Sequence, residues 1–297
     1  MESPDASISR ATLLIVASAL SFGSISVLTV LVTNTGVPLL TLMAWRYVLG
    51  AMLLLPVVGG KLLSVPRQRA IQLLLIGGFG QALITYISLH ALEYIPVGPL
   101  AFLFYTYPVW VALVAAVRRT ERLTPVRTVA LTLALLGVTI MVGAPTADKL
   151  NLTGVILALA SALLYSAYLP SLEHLQEGVP ALISTFLLVV GAAISFTIAA
   201  LFTRELYLPA GAAVWANTFL LALVSTVIAF STLIKGLSVL GPVRTAIIAT
   251  VEPFFTAILG VIVLENQLSI TTLIGGVLIA GAVLLIQWSS TQLEATA

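Results

Sequence analysis

The chain has 297 residues, of which 60% are hydrophobic and 8% charged, with a formal net charge of +2. A soluble domain carries roughly 25% charged residues, so this chain could not cover its own surface in water and a bilayer is its expected solvent. Cysteine is absent, which excludes disulfides, thiolate metal sites and cysteine nucleophiles.

The first apolar run, Ala11 to Val32, is too long for a signal peptide and has no clear cleavage site, so it reads as a retained helix. Nine further runs follow, over 38–59, 70–90, 98–117, 126–143, 153–172, 180–203, 213–234, 242–263 and 269–288. Turn and breaker residues separate them at Thr33 to Gly36, Gly59-Gly60, Pro96 to Gly98, Gly143 to Pro145, Gly178 to Pro180, Pro209 to Gly211 and Gly241-Pro242. Ten spans of roughly 20 residues leave only short loops and tails, with no room for a soluble catalytic domain. With the N-terminus inside, the cytoplasmic side receives Arg10, Lys61, Arg67, Arg69, Arg118, Arg119, Arg122, Arg127 and Lys235, and the outside only Lys149 and Arg204. Lys and Arg collect in cytoplasmic loops, so both termini are expected inside.

The chain also repeats itself. Ala91 to Trp110 aligns with Gly236 to Phe255 at an offset of about 145 residues, pairing Leu92 with Leu237, Ala101 with Ala246 and Pro108 with Pro253. Ala17 to Gly23 matches Ala160 to Ser166 at a nearly equal offset. The expected halves are 1–145 and 146–297, with five spans each. Five is odd, so the second half enters the membrane upside down, which makes an inverted repeat with a pseudo-two-fold axis in the membrane plane. The expected fold is an all-α membrane protein of ten transmembrane helices in two inverted five-helix repeats. Paired repeats around a central site are how alternating-access transporters are built.

Arg46 lies roughly 12 Å into the second span at 1.5 Å per residue. A charge there is costly and usually faces a cavity or a partner. It either orients a substrate or gate, or makes a structural pair with a carbonyl or carboxylate. Tyr86, Tyr105, Tyr107, Trp110, Tyr165 and Tyr168 are aromatic residues with polar tips. They either line a pocket, stacking and hydrogen-bonding to a ligand, or pack the bundle. His90 ends span three, opposite Lys235 in the repeat, as an entry gate or a satisfied interfacial side chain. Pro108 and Pro253 occupy equivalent positions in spans four and nine. Each removes a donor and frees the carbonyl four residues earlier, at Phe104 and Ala249. The result is a structural kink or the frame of a site. Glu252 is the carboxylate expected at mid-membrane. It suits proton coupling if its charged form is disfavoured by burial, or a static bond, for instance to Arg46. Arg244 reads as snorkelling to the interface. Gly77, Gly78 and Gly80, and Gly276 with Ala280, permit tight helix contacts.

No hydrolase, zinc-protease or phosphate-loop signature is present. His90 and His174 have no metal-ligand spacing, and no metal, cofactor or nucleic-acid partner is expected.

These residues carry a resemblance. Phe22 in span one, Trp45-Arg46-Tyr47, Ala91-Leu92-x-Tyr94-x-Pro96 followed by Pro108, Ala160 to Tyr168, Glu252-Pro253 and Leu264-Glu265 together resemble the EamA-type transporters of the drug/metabolite transporter superfamily. The resemblance covers nearly the whole chain. It implies ten helices, the N-terminus inside, and a cavity lined mainly by spans one, three, four, six, eight and nine. It also implies export or exchange of small metabolites, often amino acids, across a bacterial or archaeal inner membrane. Proton antiport and passive facilitation are both compatible with it. Tyr105 to Pro108 departs from the pattern of the aromatic amino-acid exporters.

The leading expectation is a secondary transporter or facilitator for small organic metabolites, amino acids or related compounds. It would act as a monomer or as a homodimer through spans five and ten. A carrier of drug-like compounds or nucleotide sugars is the alternative, the latter disfavoured by so few intramembrane cations. An intramembrane lipid-modifying enzyme would have to use Glu173, His174 and Glu177, which otherwise read as a solvated turn.

Overall fold

The computed structural model describes residues 4–95, 100, 103–118, 124–142, 151–264 and 270–295. Among them there is no strand. The helices are α1 (Pro4–Thr33), α2 (Leu39–Val58), α3 (Arg67–His90), α4 (Tyr107–Arg118), α5 (Pro125–Val142), α6 (Leu152–Gln176), α7 (Ala181–Phe202), α8 (Ala212–Ala249), α9 (Glu252–Leu264) and α10 (Ile270–Ala295). Six are long and apolar enough to cross a bilayer: α1, α2, α3, α6, α7 and α8. The other four are shorter apolar helices. The expected boundaries at Pro96 to Gly98 and Gly143 to Pro145, and Arg119, Arg122, Lys149 and Glu265, lie outside the described residues.

The breakers act as their chemistry requires. Pro38, Pro66 and Pro180 stand at the N-caps of α2, α3 and α7, where extended backbone is wanted and a helix's leading N–H groups have no partner to lose. Asn151 caps α6 by accepting from the Thr153 N–H at 2.9 Å. Gly36 and Gly178 take positive φ of 87° and 74° after α1 and α6. Gly241-Pro242 interrupts the helix where a break is expected: Gly241 takes a non-helical φ of 74° and ψ of 170°, and two helical stretches of α8 meet across a kink there. α3 and α8 each contain a π turn, over Leu73–Phe79 and Leu223–Ile228. Such turns leave local backbone groups in need of other partners.

The packing follows a rule. α1 packs on α8 and α9, and α6 packs on α3 and α4. α2 packs on α7 and α8, α3 on α7, and α5 on α10. Exchanging each helix with the one five places along the chain returns the same set of pairs. Two crossings depend on glycine. A Cβ at Gly78 would overlap the Gly191 backbone, and one at Gly191 would overlap the Leu74 carbonyl, so α3 and α7 touch backbone to backbone. A Cβ at Gly137 would lie 2.7 Å from the Gly275 oxygen where α5 meets α10. Small residues allow this closeness where apolar lipid gives no hydrophobic drive.

Candidate functional site

Two helices break in the middle of the bundle. Before α4, a helical turn through Leu103 and Phe104 gives way to a turn at Tyr105-Thr106. Between α8 and α9 the break is at Thr250-Val251. These turns fall at equivalent points of the repeat. Each is closed by a threonine: Thr106 Oγ1 donates to the Leu103 carbonyl and Thr250 Oγ1 to the Ile247 carbonyl, both at 2.6 Å. Pro108 and Pro253 follow within the first turn of the resumed helix. Neither has an N–H to give to the carbonyls of Phe104 and Ala249.

Phe104 and Ala249 both line a cavity of ≈150 Å³ in the bundle centre. α1 contributes Ser18 and Phe22, α2 contributes Arg46 and Tyr47, and α3 contributes Gln81, Thr85 and Ser88. Tyr107 and Tyr165 form an aromatic wall, their rings edge to face at 4.8 Å. Phe104 packs on both, at 5.5 and 5.7 Å. Glu252 lines the cavity beside Phe230, Leu233 and Ala249. The Tyr105 hydroxyl faces the Glu252 carboxylate, and Tyr107 and Tyr165 lie near enough to feel its charge. Behind Glu252 the α1 backbone is close: Thr256 Oγ1 donates to both the Gly23 and Glu252 carbonyls at 3.1 Å.

Arg46 is buried, with 1% of its surface exposed. Its Nε donates to Thr226 Oγ1 at 2.8 Å and its Nη2 to the Ser225 carbonyl at 2.7 Å. Both acceptors belong to the α8 π turn, so the guanidinium satisfies one backbone carbonyl and one side-chain hydroxyl of the irregular helix. Nη1 lies 3.7 Å from Met43 Sδ, and Cζ sits 5.0 Å from the Tyr47 ring centroid. Among the described residues no ion pair joins Arg46 to Glu252, although both line the cavity. Tyr168 plays the matching part on α3, donating its hydroxyl to the Gly77 carbonyl of that π turn at 2.8 Å. Ser24 and Ser225 share a 2.7 Å hydrogen bond that ties α1 to α8.

The expected site residues therefore separate into groups. Arg46, Tyr107, Tyr165 and Glu252 line the cavity. Tyr105 stands behind Glu252, and Tyr168 supports α3. Trp110 braces the α4 turn through Nε1 to Thr106 Oγ1 at 3.3 Å. Tyr86 and His90 lie apart at the end of α3, where their rings stack at 5.6 Å and His90 Nδ1 sits 3.2 Å from Glu93 Oε1. Arg244 lines a second, wider cavity of ≈840 Å³ with Arg118, Arg127 and the end of α6. Glu173, His174 and Glu177 are at that end of α6, and His174 and Glu177 are 70% and 63% exposed. Sequence reasoning missed the α3 stripe of Gln81, Thr85 and Ser88. Its signal was available as polar residues spaced by four and three on an apolar helix. Phe230 and Tyr47 gave no such signal.

The model of the EamA-like transporter family matches the chain twice, over residues 9–143 and 152–288. The chain belongs to the EamA-like transporter family. It is a multi-pass membrane protein of a transporter family, acting on a small-molecule substrate in a lipid bilayer. Its fold is similar to that of a protein seen in a crystal structure, with TM-score 0.80 and 21% identity over 96% of this chain and 99% of the other. No curated protein matches the chain.

Proposed function

We propose that this EamA-like protein is a secondary transporter or facilitator that exports or exchanges small organic metabolites, amino acids or related compounds. The carrying observation is that two broken helices, one from each matched segment, meet at one cavity with an arginine and a carboxylate in its wall. Discontinuous helices at the interface of two repeats are how secondary transporters build midplane sites. The reading includes ten spans in two inverted halves, 1–145 and 146–297, with both termini cytoplasmic in an inner membrane. Rocking of the halves would expose the cavity to each side in turn, about kinks at Pro108, Pro253 and Gly241. His90 and Tyr86, outside the cavity, would belong to the outer entrance. Spans five and ten would be peripheral, in a monomer or at the contact of a homodimer. Glu252 is the residue through which proton coupling would run.

The size of the cavity favours small metabolites. Its volume is ≈150 Å³. Pockets for drug-sized ligands run to about 300–1,000 Å³. A nucleotide sugar would bring phosphates to a wall with one cation, Arg46, among its described residues.

The test is solute exchange in proteoliposomes loaded with pooled metabolites, with and without a pH gradient. Saturable exchange by folded wild type is expected. Failure to move any solute of a broad panel overturns the reading.

A further inference from the structure

The wider cavity has no part in the central site. It encloses ≈840 Å³ at one end of the helices, among the last turns of α4 and α6, the first turn of α5 and the Gly241-Pro242 kink of α8. Arg118, Arg127 and Arg244 line it together with Glu173, His174 and Glu177. Three arginines against two glutamates leave one positive charge in excess among its described residues. Arg127, Arg244 and Glu173 also interact with other groups of the protein, so the excess matters and not any single cation. Glu177 turns to His174, with Oε2 3.3 Å from Nδ1.

An apolar groove of ≈390 Å³ adjoins this cavity on the outer surface of α3 and α6. It runs from Ile76 to Leu83, about 10 Å along α3 at 1.5 Å per residue. Leu75, Phe79, Leu83 and Leu164 wall it and are exposed, and the small residues Gly80 and Ala167 keep it concave. Ile76 and Ser171 line both features, so groove and cavity are continuous. Along the helices the order is therefore charge at the ends and then an apolar path toward the middle, which is the order of a phospholipid in its leaflet. Basic pockets between helices at a membrane surface take anionic headgroups.

We propose that cavity and groove together bind one net-anionic phospholipid of the surrounding bilayer. Its phosphodiester lies among Arg118, Arg127 and Arg244, and one acyl chain follows α3 and α6. A headgroup with one net negative charge cancels the excess, whereas the ammonium of a zwitterionic headgroup restores it. The site is independent of the solute carried at the bundle centre.

The experiment is thermal unfolding and native mass spectrometry of delipidated protein in neutral detergent. The protein is titrated with dioleoyl phosphatidylglycerol, its phosphatidylethanolamine and phosphatidylcholine counterparts, or glycerol 3-phosphate. Phosphatidylglycerol should raise the melting temperature saturably, with one molecule retained per protein. It should bind about fivefold or more tightly than the zwitterionic lipids, and Arg118→Gln with Arg244→Gln should weaken it by about fivefold per arginine. Arg118→Gln alone, at an exposed helix end, serves if the double variant does not fold. Ala167→Phe fills the groove, keeps the charges and should weaken all three lipids. Arg69 Nη1 donates to the His174 carbonyl at 3.4 Å, so the start of α3 lies at the same end as the cavity. Lys61 and Arg67 are exposed there but do not line it, and Lys61→Gln with Arg67→Gln should leave the preference unchanged. Equal affinity for the three lipids overturns the proposal. So does an equal loss in the Lys61→Gln, Arg67→Gln protein, which would make the preference a property of the whole basic surface. Glycerol 3-phosphate binding as tightly as the lipid, with Ala167→Phe without effect, would make the cavity a site for soluble phosphate esters and overturn it too.

Discussion

Two helix crossings that the repeat makes equivalent are built in opposite ways. Where α2 crosses α8, Arg46 reaches into the π turn and holds Ser225 and Thr226. The position about 145 residues further on is Gly191, and there α7 and α3 meet with no side chain between their backbones. One crossing is wedged open by a buried guanidinium at the edge of the cavity. The other is a dry contact of glycines. A fold that repeats does not have to repeat its chemistry: the same pairing of helices supplies a buried guanidinium on one side and a close-packed backbone contact on the other. The broken helices differ in the same spirit. Tyr107 in the first half corresponds to Glu252 in the second, so equivalent positions give an aromatic wall and an acid.

The most damaging way to break the comparison is to give the dry crossing a side chain. Gly191→Leu would press four carbons into the Leu74 and Gly78 backbones. Overpacking a tight contact typically costs about 1–3 kcal/mol and sometimes more, and rigid backbone gives little room to adapt. Loss of monodisperse protein in detergent is expected. A well-folded Gly191→Leu protein with wild-type melting temperature would show that the crossing is loose. Emptying the wedged crossing should do less to the fold and more to transport. Arg46→Met keeps volume but leaves the Ser225 carbonyl and Thr226 hydroxyl without their donor, at about 1–3 kcal/mol for a buried unsatisfied group. Exchange should be abolished while folded protein is still recovered. Retained exchange would mean that Arg46 serves only the π turn.

The prolines sharpen the same contrast more gently. Pro108→Ala and Pro253→Ala each restore an N–H four residues from a freed carbonyl, Phe104 or Ala249, and so favour continuous helix. Melting temperature is expected to hold or rise slightly, and exchange rate to fall in both. The larger fall should come from Pro253→Ala, because straightening α9 moves Glu252 as well as the carbonyl. Equal losses would place the effect in the kinks alone. A stimulation would contradict the rocking proposed above.

Much of this frame could be read from the chain before any coordinates. Proline fixes its own φ and deletes a donor wherever it stands, so Pro108 and Pro253 announced breaks in two helices, and the shared offset announced that they correspond. Pro180 marked a helix start for the same local reason. Gly241-Pro242 marked an interruption for the same reason: Gly241 takes positive φ where two helical stretches of α8 meet across a kink. What could not be read was long-range. Arg46 finds its acceptors about 180 residues away in a π turn, and a π turn has no residue signature comparable to a proline. Tyr168 was visible as one face of a helix with Tyr165, yet only the packing of α6 on α3 turns it toward the Gly77 carbonyl. Gly78 and Gly191 each looked permissive, and their meeting needs the whole bundle. The cavity is a product of such meetings, which is why its charged residues were visible one by one and its shape was not.

The smallest effect concerns the threonines that close the two turns. Thr106 and Thr250 make the same bond to the carbonyl three residues before, both at 2.6 Å, but Thr250 is fully buried and Thr106 only partly so. Valine at either position keeps the shape and removes the donor. Each carbonyl keeps its backbone donor, Thr250 N–H at 3.2 Å and Thr106 N–H at 3.3 Å, but the second donor lost at Thr250 is lost in a dry interior, whereas water can replace the one lost near Thr106. The cost should therefore be about 1 kcal/mol or somewhat more for Thr250→Val and a few tenths for Thr106→Val, within the range for single hydrogen bonds. Thermal unfolding of the two variants in the same detergent measures the difference. A larger shift for Thr106→Val would mean that its turn is the drier of the two, and that the first half, not the second, holds its broken helix more firmly.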